Sequence, residues 1–100
     1  MNNDGRTGFT VYFDPYRRTS IVTKIDNAIQ SYLKKYGLEA EIVLVNPADL
    51  ESIPERELSR LQKLVRLGGY RIVRPNTVYV GLDTPENTKC LARELANSVA

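Results

Sequence analysis

The sequence predicts a small α/β sandwich with a four-stranded mixed sheet, and three observations carry that prediction. β-rich runs stand at residues 9–13, 40–45, 70–74 and 77–82. Stretches with apolar residues at helical spacing stand between and after them. The chain has 100 residues, the length of one domain, and a chain of this size buries about 65% of its extended surface, enough for a core without metal or disulfide staples.

Residues 1–7 are polar and read as a disordered lead-in to a single domain over residues 8–100. Phe9-Thr10-Val11-Tyr12-Phe13 alternates with period two and forms the first strand, which Asp14-Pro15 ends. Thr19 or Ser20 caps a helix on which Ile21, Ile25, Ile29, Tyr32 and Tyr36 recur on one face, and Gly37 supplies its left-handed end. Residues 40–45 are almost wholly apolar, so they read as an interior strand stopped by Asn46-Pro47. Ser52-Ile53-Pro54-Glu55 has capping-box spacing and opens a second helix. Leu58, Leu61 and Val65 line one side of that helix, Arg56, Arg60 and Lys63 the other, and Gly68-Gly69 ends it. Residues 70–74 and 77–82 then form a hairpin about Pro75-Asn76. Thr84 and Pro85 open a last helix with Leu91, Leu95 and Val99 as its stripe. The order is β-α-β-α-β-β-α, with helices expected on both faces of the sheet.

This is the element order of the thioredoxin fold, and over residues 8–100 the chain resembles thioredoxin-like proteins, among them glutaredoxins and small arsenic-handling repressors. A ferredoxin-like or other small α/β sandwich is the alternative. Redox members of the thioredoxin-like group place a CxxC or a single Cys after strand 1. Here Pro15-Tyr16-Arg17-Arg18-Thr19-Ser20 carries no sulfur. Members usually set a cis-proline before strand 3, where this chain has Gly68-Gly69-Tyr70. Phe13-Asp14-Pro15 looks like the strand-1 end of the arsenic repressors, without their vicinal cysteines. The resemblance therefore implies the fold, in redox-inactive form, and transfers no activity.

Composition excludes several chemistries. There is no histidine, so no Ser-His-Asp triad, Cys-His pair or imidazole ligand can form. One cysteine allows neither an intrachain disulfide nor a cysteine-based zinc site. No cofactor or metal is expected. Cys90 lies about two turns into the last helix and reads as a small buried hydrophobe. No apolar run is long enough to span a bilayer and no signal-peptide core opens the chain, so a cytoplasmic location without membrane contact is expected.

The net charge of +2 conceals a polarity: residues 56–74 carry six basic residues against Glu57, a balance of +5, which leaves −3 elsewhere. Arg56, Arg60, Lys63, Arg71 and Arg74 are candidate phosphate contacts, with Tyr70 and Tyr79 as stacking faces. Arg17 and Arg18, at a helix start beyond a strand's carboxyl end, are candidates for an anion. The plain alternative for both sets is solvated charge. Asp14, Glu39, Glu41, Asp49, Glu51, Glu55 and Glu57 are scattered and read as surface charge and caps. Tyrosines at the core edge, and an open sheet edge on strand 4 or strand 2, would suit self-association. The sequence thus predicts a non-enzymatic interaction module that binds a protein partner or itself as a homo-oligomer. The alternative is weak nucleic-acid or anion binding through the basic residues.

Overall fold

A computed structural model describes residues 9–83; the expected lead-in, the last helix and Cys90 lie outside them. The elements are β1 (Thr10–Phe13), α1 (Ile21–Tyr36), β2 (Ile42–Val45), α2 (Pro47–Glu51), α3 (Glu55–Leu64), β3 (Arg66–Gly69) and β4 (Thr77–Gly81). The four strands form one mixed sheet in the order β1-β4-β2-β3. β4 runs antiparallel to β1 and β2, and β2 runs parallel to β3. Among the described residues β2 and β4 are the interior strands, so the edges are β1 and β3 rather than strand 4 or strand 2. No helix among the described residues is long and apolar enough to cross a membrane.

The ends of α1 follow from local chemistry. Ser20 accepts a hydrogen bond from the Thr23 N–H, and Gly37 adopts φ 70°, sending its N–H to the Leu33 carbonyl. The next segment departs from the sequence reading. Asn46-Pro47 ends β2 and also starts α2, because the Asn46 side chain accepts from the Ala48 N–H at 2.9 Å and Pro47 fits the first turn. Ser52 terminates α2, its hydroxyl donating to the Asp49 carbonyl at 2.7 Å, so it opens no capping box. Pro54 holds the N-cap position of α3 and makes no side-chain bond there.

The expected β3–β4 hairpin is absent. β2 lies between those strands, and β3 comprises Arg66–Gly69 rather than residues 70–74. Long-range pairing outweighs the helix-ending tendency of Gly68-Gly69. The Arg66 N–H reaches the Glu41 carbonyl and the Tyr70 N–H the Val45 carbonyl, both at 2.9 Å. Glycine also meets a packing need: a Cβ on Gly69 would stand 3.3 Å from Leu50 Cδ2 and from Pro47 Cα of α2. Residues 70–74 turn instead of extending, and Val73 is driven wholly under the sheet. The Pro75-Asn76 turn is present, with Asn76 at φ 65° and the Thr77 N–H bonded to the Arg74 carbonyl.

The two sheet faces are covered differently. On the first face Ile25, Ala28 and Tyr32 of α1 and Leu61 of α3 pack against Val43, Val45, Val78 and Val80. The second face carries Ile42, Leu44 and Val73, with Phe9, Tyr70 and Tyr79 packed against them. The sequence predicts helices on both faces; among the described residues no helix packs against the second cluster.

Candidate interaction surface

The candidate surface is built on β1. Its alternation puts Thr10 and Tyr12 toward the helical face, where the Thr10 hydroxyl donates to Tyr36 Oη at 3.3 Å. Val11 and Phe13 therefore point to the second face, where they remain 57% and 61% exposed. Ile72, from the turn that follows β3, stands beside them and is 65% exposed. With Arg74, Thr77 and Tyr79 they line a groove of about 300 Å³. Tyr79 forms its floor, paired with Val11 across the ladder and stacked at a tilt on Phe9, ring centroids 5.8 Å apart. Scattered exposed apolar residues are ordinary, whereas contiguous ones mark contact surfaces.

The predicted basic residues do not converge on one face. Arg56, Arg60 and Lys63 project from the outer side of α3, a helix that packs on the first sheet face. Arg71 and Arg74 lie on the turn-rich segment that covers the second. The sheet stands between the two groups. Arg60 is bound to acidic partners: its guanidinium grips Asp26 of α1 at 3.0 and 3.3 Å and Glu57 at 3.0 Å. The hydrogen bonds to Asp26, then Glu57, push its pKa further above the ordinary arginine value. Arg17 and Arg18 are exposed in the loop after β1. That loop and the Arg74 turn meet at one end of the sheet, where the Asp14 N–H bonds the Asn76 carbonyl at 3.1 Å.

At this end the structure assembles a polar cluster that the sequence did not reveal. Lys24, 1% exposed, donates through Nζ to Asn76 Oδ1 at 2.9 Å. The Asn76 N–H donates to Asp49 Oδ2 at 2.9 Å, and Asn46 Nδ2 donates to the Val73 carbonyl at 2.9 Å. Asp14 accepts from the Tyr16 N–H at 3.0 Å, closing the loop on itself. With Lys24 shut off from solvent, the cluster fastens α1, α2 and the β4 turn together. Its one sequence signal was Lys24 on the buried side of the α1 stripe, one residue before Ile25. Glu41 is likewise structural, accepting the Asp83 N–H at 2.8 Å. Among the described residues no group of acidic or sulfur side chains could hold a metal ion.

Comparison with protein-family models, curated proteins and solved structures finds no match to this chain.

Proposed function

We propose that this chain is a non-enzymatic interaction module that binds a protein partner through β1 and the second sheet face. The observation that supports this reading is the contiguity of Val11, Phe13 and Ile72, three large apolar side chains each more than half exposed, along one groove at a sheet edge. Arg74 at the groove wall gives it the apolar centre and polar rim of a protein contact. On this reading the likeness to thioredoxin-like domains rests on the element order the sequence predicts, from which α2 and the missing hairpin depart, and it brings no sulfur chemistry at the start of α1. Nucleic-acid binding draws less support, because the basic residues divide between the two faces and Arg60 is held by carboxylates.

Photo-crosslinking in cells tests the proposal. A photoreactive amino acid replaces Ile72 in one variant and Arg56, on the outer side of α3, in another. The reading predicts a discrete protein adduct from position 72 and none from position 56. No adduct from position 72, or the same adducts from both, would overturn it.

A further inference from the structure

We infer that the partner at this surface is a second copy of the chain, joined β1 to β1 in antiparallel fashion; this rests on the interaction reading above. The backbone pattern comes first. The Asp14 N–H bond to the Asn76 carbonyl continues the register Phe13↔Thr77, so the hydrogen-bonded pairs of this ladder fall on 10:80, 12:78 and 14:76. Val11 and Phe13 occupy the alternate positions and turn both N–H and C=O away from β4, out from the sheet edge. The same alternation reaches Phe9. Natural edge strands are usually blunted by charge, proline or a bulge. Residues 9–13 contain no charged residue and no proline, and their β1–β4 register runs without a bulge.

The space on both sides of this edge comes next. The second-face groove lies beside Val11 and Phe13. On the first face a groove of about 520 Å³ lies beside Tyr12, walled by Asn27, Gln30, Ser31, Leu33 and Lys34 of α1. A strand added at β1 sends alternate side chains to opposite faces, so it needs room on both. A copy of β1 fits the pattern, with Val11 and Phe13 toward the apolar groove and Tyr12, a ring with a polar tip, toward the mixed one.

The register follows from the free groups. Centring the two-fold axis on Val11 pairs residue 9 with 13, 11 with 11 and 13 with 9. That arrangement uses the outward N–H and C=O groups of all three residues and stops before Pro15, which has no N–H to give. It joins the two sheets into one of eight strands. Val11, Phe13 and Ile72 expose on the order of 300 Å² per copy, and Phe9, Tyr12, Leu33 and the edge backbone raise this to about 500 Å². The total, about 1,000 Å², is the lower bound of a specific interface, so the dimer is weak and depends on concentration.

Sedimentation of the full chain from low micromolar to near-millimolar concentration tests the inference. The expected result is a shift from the 11.3 kDa monomer toward twice that mass. Val11→Pro removes an outward N–H without touching a bond to β4, and Phe13→Lys places charge at the contact; each should abolish the shift. In a Cys90→Ser background, Val11→Cys should form a disulfide-linked dimer on mild oxidation. Its Cα atoms face their symmetry mates at about 5.5 Å, within disulfide reach. Phe13→Cys, about 13 Å from its own mate at strand rise, should not. A chain that stays monomeric throughout, or a dimer indifferent to Val11→Pro and Phe13→Lys, overturns the inference. A monomer that still gives a heterologous adduct from position 72 leaves the interaction reading standing, so the two failures are distinct.

Discussion

Lys24 and Asn76 show how single residues set the geometry of this fold. A fully buried ammonium needs an acceptor, and Asn76 supplies one while also adopting the positive φ that its turn requires. Asn76→Gly keeps that φ and deletes the acceptor. We expect a loss of about 1–3 kcal/mol in urea unfolding, much of it recovered when Lys24→Met is added, because the unsatisfied ammonium is then gone. Tyr32 gives a pH signature. Burial, with Tyr36 and Glu41 nearby, pushes its phenol pKa up. The folded state therefore holds this proton more tightly than the unfolded chain. Its contribution is fully present below the unfolded tyrosine value of about 10 and is lost as pH rises through the folded value. Denaturation midpoints of Tyr32→Phe should accordingly fall less steeply than wild type above that pH. Arg60, by contrast, holds two carboxylates in open solvent, where screening removes most of the gain. Arg60→Gln should leave the thermal midpoint nearly unchanged, and a large drop would show that the α1–α3 clamp matters more than its exposure implies.

Among the elements, those with local causes were legible in the sequence. α1 has its stripe, its Ser20 cap and its Gly37 terminus, and all three are where the sequence predicts them. The alternation of residues 9–13, the apolar run of β2 and the Pro75-Asn76 turn were equally readable. α2 was hidden because Asn46-Pro47 punctuates in two senses, stopping a strand and capping a helix. β3 was hidden because its two glycines carry no strand propensity. They are held by pairing with β2 and by the close approach of α2, interactions between residues distant in sequence. Gly69→Ala tests that account. A methyl at 3.3 Å from the Pro47 backbone must displace α2, so we expect a loss of about 1–3 kcal/mol in chemical denaturation. An unchanged midpoint would mean that α2 yields freely.

For the whole molecule, strand order decides what the surface can do. The sequence made residues 9–13 a half-buried strand, and it is one, but nothing local states that it lies at the edge. That follows from the pairing of β4 with both β1 and β2, which takes the place of the expected hairpin. The basic residues were visible one by one, yet their separation was not. Residues 56–74 begin as a helix over one sheet face and end as a turn under the other, so one run of charge becomes two. The same topology leaves Val11, Phe13 and Ile72 together and uncovered among the described residues. The central claim is that this edge pairs with the same edge of a second copy, and amide hydrogen exchange at raised protein concentration tests it most directly. The account predicts that the Val11 and Phe13 amides, which face away from β4, become protected as concentration rises, while the Leu67 amide on the opposite edge keeps its rate. Fast exchange at Val11 and Phe13 at every concentration, or protection that appears instead at Leu67, would contradict it.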